Sequence, residues 1–418
     1  MKNNLTIERS IMLIIMMYPV LMLSVKGSLS GFFIVLCILS IVTLLKNKTQ
    51  PAFINSKDKI YILAMSSILV ATIFSQLIHG KIIVSYWDSP ARFLFAVPIY
   101  FALKKQSMKV FEFFQFGLPL GAIAACVTAL VVQQQALGGF GSRATNTFLN
   151  PIHFGDMALM LGILSACSIN WFRFDSRLVV MLKVIGLIAG MYASILSGTR
   201  GGWVAIPVIL LVCLVAWKVY DVKKLAGGLL AVAAMLAVSY FAFTPIQQRV
   251  NDSYTEVHSI FNGDLETSVG WRLQIWKGAS QIFLANPIAG VSPSGFDNAI
   301  LSLGKAGIIS PMAADLGVNE VHSQIFSSAA RLGIFGLIAY FLVHLVPLKF
   351  FVNSMRSRNN IIQKAGLMGM SLVVGFIVFG LTVEMYNLKM VATFYSLTGV
   401  VLLACCNNDN CDELTHNR

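Results

Sequence analysis

Charge is scarce in this chain. Only 12% of its 418 residues are Asp, Glu, Lys or Arg, against 57% hydrophobic, and the mean hydropathy is +0.76. Soluble globular chains carry roughly twice that share of charge. The composition therefore excludes a soluble domain and predicts an all-α integral membrane protein. Usable cysteine is lacking too. Cys37, Cys126, Cys167, Cys213, Cys405, Cys406 and Cys411 all fall in apolar runs or in the C-terminal tail, and their spacing matches no zinc or haem motif. That excludes an external disulfide framework. Nucleotide-binding glycine motifs, metal-ligand spacings and an external Ser–His–Asp set are missing. No internal repeat is visible, which weakens a transporter built from inverted halves. The first apolar run, Ile11 to Val25, has no small-residue cleavage site and reads as a span rather than a signal peptide.

What is present is a long series of apolar runs. A spanning helix needs about 20 mostly apolar residues. The runs predict about 12 transmembrane helices, near 9–26, 30–45, 60–79, 89–103, 111–133, 152–170, 178–197, 201–218, 225–243, 324–346, 363–383 and 387–406. Their connections alternate in charge, and one side gathers 20 of the 31 basic residues. The positive-inside rule puts that side, with both termini, in the cytoplasm. The net charge of +13 is then an orientation device, and a nucleic-acid partner is not expected. A polar segment from Ile246 to Val321 breaks the series between the ninth and tenth spans, on the outer side. It holds four basic and seven acidic residues, so it is no polybasic lipid strip. The expected division is 1–245 for spans one to nine, 246–321 for the outer loop, 322–406 for spans ten to twelve and 407–418 for a cytoplasmic tail.

Three stretches carry candidate chemistry. Ser197-Gly198-Thr199-Arg200-Gly201-Gly202-Trp203 marks the outer turn between spans seven and eight. With Thr199 as an N-cap, the next helix would aim free N–H groups and its positive end outward. Arg200 would add a donor fork for phosphate oxygens. The same letters also suit an interfacial arginine snorkelling beside packing glycines. Val269 to Leu284 predicts an amphipathic helix with Leu273, Trp276 and Phe283 on one side, ended by Asn286-Pro287. It either lies on the outer leaflet or carries Arg272 over an anion near Arg200. In Asn319-Glu320-Val321-His322-Ser323, an N-cap at Asn319 would make His322 the third residue of span ten. The helix dipole would then favour neutral imidazole, the form a general base needs, with Glu320 to orient it. His79, His153 and His258 also fall near the outer face, and His344 reads as a helix-packing residue near the inner face.

These motifs, in this order and membrane placement, resemble the bacterial O-antigen ligase family within the O-antigen polymerase and ligase superfamily. The resemblance rests on the Ser197–Trp203 stretch, on Arg272 before Asn286-Pro287-Ile288-Ala289-Gly290, and on Val321-His322-Ser323. It implies a GT-C-like helical enzyme of the bacterial inner membrane with its active site at the periplasmic face. It implies transfer of O-antigen from undecaprenyl diphosphate to a lipid A–core sugar, inverting and independent of metal or other cofactor. It implies His322 as base, Arg200 and Arg272 at the diphosphate, and Gly201, Gly202, Trp276 and Arg143 in the substrate site. Family loops often read Gly-X-Gly after the Asn-Pro; here Gly290 is followed by Val291-Ser292-Pro293-Ser294-Gly295. An O-antigen polymerase, and in a different class a lipid-linked glycan flippase, are the competing readings.

Overall fold

The computed structural model describes residues 2–46, 54–135, 143–216 and 244–409, with residues 226, 227, 230, 240 and 241. Every regular element among them is helical. In chain order these are α1 (Lys2–Leu21), α2 (Ser28–Lys46), α3 (Ser56–Ile78), α4 (Asp88–Lys104), α5 (Lys109–Gln135), α6 (Pro151–Cys167), α7 (Arg177–Ser197), α8 (Arg200–Trp203) and α9 (Ala205–Ala216). After the break come α10 (Thr244–Phe261), α11 (Ser268–Ala285), α12 (Phe296–Lys305), α13 (Pro311–Asn319), α14 (Gln324–Ser354), α15 (Asn360–Phe379) and α16 (Lys389–Cys406). Seven of these, α2, α3, α5, α7, α14, α15 and α16, are long and apolar enough to cross a membrane. The span expected at 225–243 lies almost wholly outside the described residues.

Lipid gives helices little hydrophobic reason to associate, so close packing of small residues does much of the work. α1 meets α5 where Gly117 and Gly121 lie against the backbone of Met16 and Pro19. α6 meets α7 where Gly162 faces Gly190. A single buried cluster runs through the bundle, with Tyr18, Phe114, Trp171, Phe351 and Phe376 among its largest side chains.

One end of the bundle is fastened by polar groups. Lys183 is fully buried, and its ammonium donates to Gln115 Oε1 (2.8 Å), Ser168 O (2.7 Å) and Asp175 Oδ2 (2.8 Å). All three N–H donors are thereby used. Removing one member of a buried pair strands the other, so Lys183→Ala should cost about 3–5 kcal/mol. A lowered thermal unfolding midpoint in detergent, with Lys183→Arg less affected, is the expected result.

The other end carries a small helical cap with its own core. Ile275, Ala279, Ile282, Phe296, Ile300, Ile309, Ala313, Val321 and Ala330 form a second buried cluster. This corrects the expected amphipathic face. α11 buries Ile275, Ala279 and Ile282 against α12, α13 and α14, while Leu273 is exposed. Its inner face is thus covered by protein, while Leu273 and Leu284 stay exposed on its outer side.

The cap is latched to α14 at a break in that helix. Gly333 has φ +66 and ψ −151, a conformation open only to glycine, and splits α14 in two. The turn after Asn286-Pro287 supplies the hydrogen bonds the break leaves open. Ile334 N–H donates to Pro287 O (2.8 Å), and Val291 N–H to Ala330 O (3.0 Å). Ser75 Oγ and His79 Nε2 on the α3 side hold Ala289 O (2.5 Å) and Gly290 O (2.8 Å). Gly290 is left-handed (φ +62), and a Cβ there would strike the Arg331–Leu332 backbone. Ser292 is left-handed as well (φ +65). Serine pays about 1–2 kcal/mol for that conformation. Ser292→Gly is therefore expected to raise the unfolding midpoint and Gly290→Ala to lower it, read in parallel melts.

Candidate functional site

At the capped end α6, α7, α8, α10 and α11 surround an open cavity of about 700 Å³. Arg143, Arg200 and Arg272 all line it, with Gly201, Thr382 and one acid, Glu256. The local reasons differ. Arg143 donates through Nε to Ser197 O (2.8 Å), tying the residues before α6 to the end of α7. α7 stops because Gly198 is left-handed (φ 66), a usual helix C-terminal device. Arg200 then opens the four-residue α8. Arg272 rides on α11, whose N-terminus is capped by Thr267 Oγ1 on Gly270 N–H. The expected side-chain cap at Thr199 is not formed. Thr199 Oγ1 instead bonds Pro151 O (3.2 Å) and pairs with Ser197 Oγ (2.6 Å), fastening α7 to the start of α6. Gly202 is buried against the Asp156 carboxylate, whereas half-buried Gly201 lies close to the Thr382 side chain at the cavity wall.

His322 is not the third residue of a helix. Asn319 ends α13, Ser323 caps α14, and His322 sits between them with φ +55. Asn and Ser are both good cap letters, and Ser323, nearest the apolar run, takes the N-cap position without a side-chain hydrogen bond. The dipole argument for a neutral imidazole therefore falls away, and burial replaces it. Burial first, then the Arg272 guanidinium and His153, push the His322 imidazole down to about 4. Glu320 Oε1 lies 3.6 Å from His322 Nδ1, near but beyond hydrogen-bond distance. Burial lifts Glu320 to about 7, although its carboxylate accepts the Glu384 N–H (3.0 Å).

The backbone around His322 is pinned by its neighbours. Val321 N–H donates to Glu384 Oε1 (2.6 Å), the Trp276 indole N–H donates to Val321 O (3.1 Å), and Gln324 N–H donates to Gly380 O (2.7 Å). Trp276, expected in the substrate site, is thus committed to this bracing and stacks on Phe326. His322 is absent from the cavity lining but is within electrostatic reach of Arg272, which lines it.

Several participants were not singled out beforehand. Glu384 is buried, holds Val321, accepts from the Asn387 amide and lies 3.5 Å from Arg331. It is the one acid between Asn360 and Cys406, an isolation that the sequence already displays. Asp156, the one acid of α6, is fully buried, and neither oxygen finds a hydrogen-bond partner among the described residues. His153 donates through Nε2–H to Glu384 O (2.7 Å). His79 serves the latch, exposed His258 contacts Asn262 (3.0 Å), and His344 packs between Tyr340 O and the Tyr386 hydroxyl. Among the described residues no three His, Cys, Asp or Glu side chains gather as a metal site.

Comparison with known proteins bears on this site. Residues 185–341 match the family described as O-antigen ligase, a stretch containing Arg200, Arg272 and His322. Over that stretch, somewhat more than a third of its length, the chain is similar to the O-antigen ligase family. It is 24% identical to an uncharacterized protein of Haemophilus influenzae over 331 residues, 78% of this chain and 80% of the relative. It is 22% identical to the O-antigen ligase of Escherichia coli over 215 residues, 51% of this chain and 50% of that protein.

Proposed function

We propose that this protein transfers an O-antigen glycan from undecaprenyl diphosphate to a lipid A–core sugar at the periplasmic face of the inner membrane. The observation that carries the reading is one cavity lined by Arg143, Arg200 and Arg272, with the half-buried His322 within electrostatic reach of Arg272. Diphosphate is the leaving group of such a transfer. Guanidinium forks match its oxygens and stabilise the charge that develops on it. In the reaction His322 takes the acceptor hydroxyl proton. The acceptor oxygen bonds the anomeric carbon, and the bond from that carbon to the diphosphate oxygen breaks with its electron pair. One displacement inverts the anomeric centre.

An imidazole held at about 4 is neutral throughout the physiological range but weakly basic. Arg272 is one reason, so a diphosphate pairing with Arg272 would relieve part of the depression and raise basicity once donor is bound. The pH profile should show this. His322 must be neutral to act, so activity is lost as pH falls through its pKa. The acid limb of kcat/KM for the donor, which reports free enzyme, is expected near pH 4, and that of kcat at higher pH. Coincident limbs near 6.5, the ordinary histidine value, would oppose this arrangement. The reading itself is tested by purified protein in liposomes with lipid-linked glycan and lipid A–core. Glycan should appear on the core sugar with release of undecaprenyl diphosphate; growth of the lipid-linked glycan alone would indicate a polymerase.

A further inference from the structure

A second cavity, about 160 Å³, lies at the same end between α3, α4, α14 and the start of α16. A cavity of about 150 Å³ holds one benzene ring, so this one is on the scale of a single six-membered ring. Gln324, Ser327, Ser328, Arg331, Tyr340 and Lys389 are among its walls. Two donors there are unmet. Tyr340 is 3% exposed, and neither its hydroxyl nor Arg331 Nε has a hydrogen-bond partner among the described residues. Buried donors are normally satisfied, so oxygen acceptors are what this cavity lacks. Ring faces beside hydroxyls and a guanidinium are the chemistry that binds a saccharide with oxygen-rich substituents.

Its position is as informative as its lining. The segment from Thr382 to Asn387 separates the two cavities: Thr382 faces the arginine cavity, whereas Tyr386 and Asn387 face the second. Glu384, in the middle, holds Val321 N–H on one oxygen, and Arg331 lies 3.5 Å from that same oxygen. His322 follows Val321 directly, and Gln324 of the second cavity comes two residues later. An inverting displacement needs the acceptor hydroxyl and the diphosphate on opposite faces of the anomeric carbon, with the base beside the hydroxyl. We propose that the second cavity binds the glycan of the lipid acceptor, with Arg331 and Tyr340 donating to sugar hydroxyl, phosphate or carboxylate oxygens. This rests on the transfer reading above for the identity of the reaction, but not for the existence of a saccharide site.

The test uses full-length protein in nanodiscs. Ser85 lies on the exposed 3-10 turn Val84–Trp87 at the cavity, outside the bundle core. Ser85→Trp should fill the entrance, and Tyr340→Phe should remove one donor. The acceptor KM is expected to rise roughly tenfold for Ser85→Trp and severalfold for Tyr340→Phe, with the donor KM unchanged. Independently, binding of lipid A–core to the His322→Ala protein should weaken when Ser85→Trp is added, while lipid A lacking core sugars is unaffected. A raised donor KM with an unchanged acceptor KM, or unaltered lipid A–core binding, would overturn the proposal. Weakened lipid A–core binding in a protein whose wild type transfers nothing would support the saccharide site and remove the ligase reading.

Discussion

His322→Ala is expected to lower kcat by about 10²–10⁴-fold, the usual contribution of a positioned base, while leaving the fold intact. The reason lies in how the residue is held. Its position comes from hydrogen bonds made by Val321 and Gln324, not by its own ring, whose Nδ1 has no partner among the described residues. Truncation therefore removes a proton acceptor and little packing. KM for donor and acceptor should stay within a few-fold, and the unfolding midpoint should match wild type. His322→Gln should be equally inactive, because an amide can accept a hydrogen bond but cannot take a proton at neutral pH. A variant that kept wild-type kcat would remove His322 from the chemistry.

Arg200→Lys and Arg272→Lys are each expected to cost about 10²–10³-fold in kcat, comparable to the loss of one preorganised donor at a developing oxyanion. Lysine keeps the charge but loses the planar fork. The comparison thus separates geometry from charge in a cavity where three arginines already meet. Arg272 has a second effect. Its guanidinium helps to depress His322, so Arg272→Gln should move the acid limb of donor kcat/KM upward, toward the ordinary histidine value, in whatever activity remains. Retained kcat in both lysine variants would reduce these residues to simple charge contributors, and the phosphate-fork chemistry would fall with them.

Much of the bundle was legible because apolar runs of spanning length mark helices directly. α3, α4, α7 and α16 begin and end within a few residues of the expected spans. The approach of Arg200 to Arg272 was legible only as a motif pair; no periodicity could place α11 across from the end of α7. The entry into α14 was misread because Asn319 and Ser323 are both capable caps, and the choice depends on Glu384 gripping Val321 from more than sixty residues away. The buried face of α11 was misread for a related reason. Its amphipathicity is shallow, and α12 and α13 decide which stripe is covered. Glu384 and Asp156 were visible as lone acids in apolar sequence, a pattern that marks intramembrane function. Arg331 carried no local signal, since its meaning comes from the Gly333 break and the latch that turns it toward Glu384.

The most direct measurement is the lipopolysaccharide profile of a ligase-deficient bacterium that supplies lipid-linked O-antigen and expresses this protein or its His322→Ala variant. The expected result is glycan-capped lipopolysaccharide with the wild-type protein, and uncapped core with accumulated lipid-linked glycan with the variant. Uncapped core in both, with the wild type changing only the length of the lipid-linked glycan, would contradict ligation to lipid A–core.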